Sequence, residues 1–161
     1  MNKALFLDRD GIINIDYGHV HKIEDFKFTD FIFDFCKKYY DEGYMLIVVT
    51  NQAGIGKKLY TEEDFIILNK WMEEQFIKHG IYLTKVYYCP HTPQDMCDCR
   101  KPQPGMFLKA IKEFDIDPNS SVAIGDKMSD LEAANKAGIK TLIFKKTRYE
   151  EYPVDFEYIK L

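Results

Sequence analysis

Short apolar runs alternate along this chain with longer segments whose apolar residues recur three or four positions apart. The first run, Ala4-Leu5-Phe6-Leu7, leads straight into Asp8-Arg9-Asp10-Gly11. An apolar run that ends in turn chemistry reads as a buried strand of a parallel sheet. Residues 12–27 hold no period and read as a loop. Between Asp30 and Gly43, Phe31, Phe35 and Tyr39 stand four apart, which predicts a helix with Gly43 as its C-cap. Met45-Leu46-Ile47-Val48-Val49 is a second strand and runs into Thr50-Asn51-Gln52-Ala53-Gly54. Thr61-Glu62-Glu63-Asp64 resembles a helix-start box, ahead of a long amphipathic helix closing near Gly80. Lys85-Val86-Tyr87-Tyr88 is a third strand, residues 89–104 a loop, and Pro104 opens a helix running to about Phe114. The fourth strand, Ser121-Val122-Ala123-Ile124, ends on Gly125-Asp126-Lys127. Ser129 or Asp130 then caps a helix that stops at Gly138. Thr141-Leu142-Ile143-Phe144 is the fifth strand, and the tail from Arg148 reads as irregular.

Strands alternating with helices predict an α/β architecture, a Rossmann-like doubly wound parallel sheet. With 161 residues and no linker or repeat, residues 1–161 are expected to form a single domain. No strand-to-helix connection is long enough for an inserted cap domain, so an open, capless site is expected.

Composition narrows the function classes. A hydrophobic fraction of 46% and an aromatic fraction of 15% fit a globular protein and exclude disorder. No apolar run approaches the roughly 20 residues that span a bilayer, and Asp8, Arg9 and Asp10 interrupt any leader-like segment. A cytoplasmic protein without a membrane partner is expected. A net charge of −4 gives no reason for a nucleic-acid partner. Lys57-Lys58 and Lys145-Lys146 read as solvated surface.

The chemistry lies after the strands. Asp8 and Asp10 are two apart, so both face the crevice beyond the first strand's carboxyl end. Two carboxylates there repel unless a cation or a proton intervenes. Thr50 follows the second strand, Arg100 and Lys101 sit in the loop after the third, and Asp126 follows the fourth. Asp8, Asp10 and Asp126 make a hard-oxygen site suited to Mg²⁺, while Thr50 and Lys101 can hold phosphoryl oxygens. An aspartate can serve as the nucleophile of phosphoryl transfer, with a second aspartate as acid and base.

A second constellation is Cys89-Pro-His91, then five residues, then Cys97-Asp-Cys99. Three thiolates and an imidazole form a closed tetrahedral set of the structural zinc type. Cys36 stands apart and reads as a buried small hydrophobe. The zinc is expected to fold the loop that presents Arg100 and Lys101. A zinc-stabilised binding module without catalysis is the alternative from another class; the acidic balance and the strand-end aspartates speak against it.

Over essentially its whole length the chain resembles the haloacid dehalogenase (HAD) superfamily of phosphatases. Asp8-Arg9-Asp10-Gly11 matches its nucleophile motif, Thr50 its threonine, Lys101 its lysine and Gly125-Asp126 its acidic motif. That resemblance implies Asp8 as nucleophile, Asp10 as acid and base, and Thr50 and Lys101 as phosphoryl stabilisers. It also implies Mg²⁺ held by Asp8, Asp126 and the Asp10 backbone carbonyl. The zinc loop resembles two narrower groups, the heptose 1,7-bisphosphate phosphatases and the histidinol-phosphate phosphatases. Thr50-Asn51-Gln52-Ala53-Gly54-Ile55, Tyr87-Tyr88-Cys89-Pro90-His91, Cys99-Arg100-Lys101-Pro102, Pro104-Gly105-Met106 and Gly125-Asp126-Lys127 look like the heptose group. The gap of five between His91 and Cys97 looks like the histidinol-phosphate branch. Asn14-Ile15-Asp16-Tyr17-Gly18-His19 resembles the heptose group's substrate loop. The resemblance implies substrate contacts from Asn14, Asp16, Tyr17, Gly18, His19, Asn51, Gln52, Ala53, Arg100 and Lys127. The expected substrate is a small sugar phosphate and the expected state a monomer.

Overall fold

Period-two burial along the central strands organises the molecule. In the computed structural model, which describes residues 1–146 and 154–161, β1 is Ala4–Leu7 and β2 is Met45–Asn51. Ala4, Phe6, Ile47 and Val49 enter one apolar layer, while Leu5, Leu7, Leu46 and Val48 enter the other. Strands buried on both faces need helices on both faces. α1 (Ile32–Asp41) and α3 (Glu62–Lys78) cover the Leu5 side through Ile32, Cys36, Leu68, Met72 and Phe76. α4 (Gly105–Glu113) and α5 (Met128–Lys136) cover the Phe6 side through Met106, Phe107, Ala110, Leu131, Ala133 and Ala134.

β3 is Leu83–Cys89, β4 Val122–Gly125, β5 Thr141–Lys145 and β6 Phe156–Ile159. The six strands lie in the order β3-β2-β1-β4-β5-β6; the first five are parallel and β6 runs antiparallel to β5. The chain leaves β1 toward β2 and leaves β4 toward β5. The carboxyl ends of these adjacent strands therefore flank the switch point where such sheets bind ligands.

The expected helix starts and stops are held by the expected groups in two places. Thr61 Oγ1 accepts from the Asp64 N–H at 3.0 Å, and the Thr61 N–H donates to Asp64 Oδ2 at 3.0 Å, closing the box before α3. Gly43 and Gly80 take φ of +91° and +75° just beyond α1 and α3. Elsewhere the structure departs from the pattern. β3 runs on to Cys89, so this cysteine belongs to the strand and not to the loop. A short helix α2, Ala53–Gly56, follows β2 directly. Neither Ser129 nor Asp130 is the cap of α5: Lys127 precedes the helix, and Asp130 reaches back from its first turn to accept the Lys127 N–H at 3.2 Å.

The irregular tail is overturned at its far end, because β6 pairs with β5. Phe156 supplies the reason, with its ring 5.3 Å from Phe31 and 5.7 Å from Phe35. Residues 148–153 of that tail lie outside the described residues. Lys145 also differs from its surface reading: it is 5% exposed, and its Nζ donates to the Gly11 carbonyl at 2.9 Å. Among the described residues no helix is long and apolar enough to cross a membrane.

Candidate active site

Asp8 follows β1, Asp126 follows β4, and Lys101 joins them from the loop after β3. The Lys101 ammonium, on a 4% exposed residue, lies 2.9 Å from Asp8 Oδ1 and 2.7 Å from Asp130 Oδ1, and donates to the Val49 carbonyl at 2.7 Å. Three fixed acceptors leave this flexible side chain a single position. Burial pushes Lys101 toward neutrality, but the Asp130 and Asp8 carboxylates outweigh it and hold the ammonium above its ordinary range.

The acidic side is in excess. Carboxylate oxygens of Asp8, Asp126 and Asp130 all lie within 4.8 Å of one another. Burial, then Asp130, pushes Asp8 well above the usual carboxylate range, against the pull of Lys101. The same two causes push Asp126 up to about 6. Asp126 Oδ1 is moreover buried without a hydrogen-bond partner. A hard divalent cation relieves all three strains at once, and this oxygen donor set suits Mg²⁺. Close approach of the two strand ends explains Gly11: its φ is +95°, and a Cβ there would stand 2.0 Å from Asp126 Oδ2.

Asp130 is missing from the set that sequence reasoning singled out. Its position in the first turn of α5 is the available signal, because a first-turn side chain returns to the strand end the helix has just left. Asp10 stands in a separate network. Its Oδ1 accepts from Arg9 Nη2 and from Asn14 Nδ2, each at 3.0 Å, and its Oδ2 accepts from Gln52 Nε2 at 3.2 Å. Arg9 is 1% exposed, donates also to the Val20 carbonyl at 2.7 Å, and lies over the Phe26 and Phe65 rings. Nothing in the sequence pattern distinguished it from a solvated strand-end arginine.

A cavity of about 490 Å³ opens over these groups. Asp8, Asp10 and Lys101 line it. Of the expected substrate contacts, Asp16, Gly18, His19, Asn51, Gln52, Ala53, Arg100 and Lys127 all reach its wall. Tyr17 lies 55% exposed on a neighbouring cleft, and Asn14 does not line the cavity. Asn14 is fully buried, and its amide nitrogen is taken by Asp10 and by the Ile15 carbonyl at 3.1 Å, so the structure gives it a supporting place. Thr50 is buried beside Gln52, accepting from its Nε2 at 2.9 Å. Lys57 is exposed, as its surface reading has it, and also lines the mouth of the cavity.

The Cys/His loop converges as its spacing predicts. Ligand atoms of Cys89, His91, Cys97 and Cys99 lie within 4.8 Å of one another, and His91 Nδ1 is 3.3 Å from Cys89 Sγ and 3.2 Å from Cys99 Sγ. Burial disfavours charge on Cys97, yet the N–H groups of Arg100 and Cys99 outweigh it and bring the thiol down to about 7. Such a donor set suits a metal ion. The loop is clasped to the active site by Asn51, whose Oδ1 accepts the Lys101 N–H at 3.0 Å while its Nδ2 donates to the Lys101 carbonyl at 3.3 Å. Bonds to the backbone on both sides fix where the lysine side chain starts.

Known proteins resemble this chain in sequence and fold. The HAD-hydrolase-like family model matches residues 98–154. A D-glycero-beta-D-manno-heptose-1,7-bisphosphate 7-phosphatase of Haemophilus influenzae is 46% identical over 153 residues, covering 91% of this chain and 83% of the relative. The D-glycero-alpha-D-manno-heptose-1,7-bisphosphate 7-phosphatase of Campylobacter jejuni is 50% identical over 141 residues, covering 88% of this chain and 81% of its own length. Among solved structures, the D,D-heptose 1,7-bisphosphate phosphatase of B. bronchiseptica, complexed with magnesium and phosphate, superposes with a TM-score of 0.81 at 28% identity. That match covers 86% of this chain and 78% of the other. Identity of this extent, on a fold with carboxylates and lysine at the switch point, means that the chain belongs to the heptose-1,7-bisphosphate 7-phosphatase family of HAD-like hydrolases.

Proposed function

We propose that the protein hydrolyses the 7-phosphate of D-glycero-D-manno-heptose 1,7-bisphosphate, through a phosphate ester formed on Asp8. The observation that carries the reading is that one cavity is lined both by the Asp8–Lys101 pair and by the further cations Lys57, Arg100 and Lys127. A bisphosphate needs both: one end to react and one to hold. Asp8 attacks the phosphorus and the sugar oxygen leaves with the proton that Asp10 supplies. Asp10 then takes a proton from water as the water attacks the same phosphorus and releases Asp8. Lys101 and Thr50 offer donors to the phosphoryl oxygens, where charge stabilisation matters most. Asp8, Asp126 and the Asp10 carbonyl, together with Asp130, would hold Mg²⁺, which supplies charge neutralisation for the phosphoryl group.

Arg100 is read as the grip on the second phosphate. Its Nη1 is buried without a protein partner, while its neighbour Lys101 is paired with Asp8 at 2.9 Å, where the transferred phosphoryl group would sit. A charge-assisted contact of this kind is worth about 1.5–3 kcal/mol, or roughly 10- to 100-fold. Arg100→Ala is therefore expected to lower kcat/KM on the heptose bisphosphate by that factor and to act much less on p-nitrophenyl phosphate. Equal losses on both substrates would move Arg100 to the transferred phosphoryl group.

Zn²⁺ is the proposed ion of the Cys/His loop, since three thiolates and an imidazole without an open position suit structural zinc. Its work is to hold Arg100 and Lys101 in place. Cys97→Ala is expected to lose the ion by elemental analysis and to keep its circular dichroism. Its kcat/KM should fall about 10²-fold, the cost of misplacing a positioning group by an ångström or so. Full activity in the zinc-free variant would contradict the assignment. Thiolates that ligate a metal persist in a reducing compartment, so the reading includes a cytoplasmic protein, with a monomer of residues 1–161 as one catalytic unit.

A further inference from the structure

We propose that Tyr60 and Gln52 form a positioning pair for Asp10, in which Tyr60 fixes the direction of the Gln52 amide and Gln52 fixes the carboxylate. The inference rests on the reading of Asp10 as the proton carrier.

Every polar atom of the Gln52 side chain is committed. Nε2 donates to Asp10 Oδ2 at 3.2 Å and to Thr50 Oγ1 at 2.9 Å, and Oε1 accepts the Tyr60 hydroxyl. Gln52 and Tyr60 are 3% and 6% exposed, so water does not stand in for any of these partners. An amide has two ends of the same shape, and only its partners decide which faces where. A reversed Gln52 would set its oxygen against the Asp10 carboxylate, acceptor to acceptor. The Tyr60 hydroxyl rewards the productive orientation by donating, and burial keeps it protonated with a pKa pushed up to about 12.

The ring itself is locked. His21 stacks on Tyr60 with centroids 4.9 Å apart and planes 7° from parallel. Gly54 admits the ring, since a Cβ there would stand 2.1 Å from Tyr60 Cε1. The chain from Thr50 to Tyr60 thus acts as one unit, running from the end of β2 around α2 and back to the acid. Gln52, implied as a substrate contact, has no N–H left for a substrate. Asp10 meanwhile receives donors on both oxygens, Arg9 and Asn14 on one and Gln52 on the other, which sets the plane of its carboxyl group.

A pair that aims the proton carrier acts on kcat and leaves substrate affinity alone. Phosphate release from heptose 1,7-bisphosphate in Mg²⁺ is measured for wild type, Tyr60→Phe, Gln52→Met, the double variant and Asp10→Asn. Tyr60→Phe is expected to lower kcat about three- to tenfold, as the loss of one buried hydrogen bond does, with KM within about twofold. In the Gln52→Met background the same substitution is expected to add nothing, because there is no amide left to orient. Losses that multiply in the double variant, a change confined to KM, or an unchanged Tyr60→Phe would overturn the pair. If Gln52→Met does not fold, the kcat-against-KM split of Tyr60→Phe decides alone. Asp10→Asn separates the two claims: wild-type turnover there removes the acid–base reading itself, whereas an impaired Asp10→Asn beside an unaffected Tyr60→Phe removes only the pair.

Discussion

Asp8→Asn is expected to abolish turnover, with a loss on the order of 10⁶-fold, as when a covalent nucleophile is removed from an enzyme that depends on it. The substitution keeps the shape of the side chain and deletes the attacking oxygen's charge. The site around it should survive, because Lys101 retains Asp130 at 2.7 Å and the Val49 carbonyl at 2.7 Å. Stability should not suffer either. Burial and the neighbouring Asp130 raise the pKa of Asp8 in the folded state, so its ionised form opposes folding as pH climbs above the ordinary carboxylate range. A neutral asparagine removes that opposition. Phosphate release together with a thermal melt at neutral pH checks both halves: no turnover, and an unfolding temperature no lower than wild type. Turnover within tenfold of wild type would exclude Asp8 as nucleophile.

Asp10→Asn is expected to lose about 10²- to 10⁴-fold in kcat on a sugar phosphate, the usual worth of a positioned general acid and base. Asparagine fits the same space, but it can neither give a proton to the leaving oxygen in the first step nor take one from the attacking water in the second. The loss of the first step should shrink for p-nitrophenyl phosphate, whose leaving group departs without protonation. The second step still lacks its base, so that substrate should give a burst of one p-nitrophenol per enzyme followed by slow turnover. Equal impairment of both steps on both substrates would point to a structural fault in the Arg9–Asn14–Gln52 cradle.

The layered sheet was legible because its strands are short apolar runs and its helices carry clear stops, Gly43 and Gly80 among them. Strand-end chemistry was legible for the same reason, since topology carries every strand end to one edge. β6 was not, because Phe156-Glu157-Tyr158-Ile159 is no buried apolar run and its anchor, Phe156, docks on Phe31 and Phe35 from far along the chain. The metal-like loop was legible from spacing alone. The second tier of the site was hidden. Arg9, Tyr60, Asp130 and Lys145 are residue types that usually meet water, and what distinguishes them is burial among partners remote in sequence. Lys101 and Asp130 are 29 positions apart yet in contact. Gln52 and Asn14 lay in recognised motifs, but that their amides both donate to Asp10 was not legible there. Periodicity reports which face is buried; it carries no information about which polar groups pair inside.

The gap of five residues between His91 and Cys97 still resembles the histidinol-phosphate branch, while the cations on the cavity wall favour a second phosphate. Phosphate release from D-glycero-D-manno-heptose 1,7-bisphosphate and from histidinol phosphate, measured side by side with Mg²⁺ and again after chelation, tests the account most directly. The account predicts Mg²⁺-dependent release from the bisphosphate with kcat/KM at least about tenfold above that for histidinol phosphate, the lower worth of one charge-assisted contact. Equal or faster turnover of histidinol phosphate, or release that survives chelation, would contradict it.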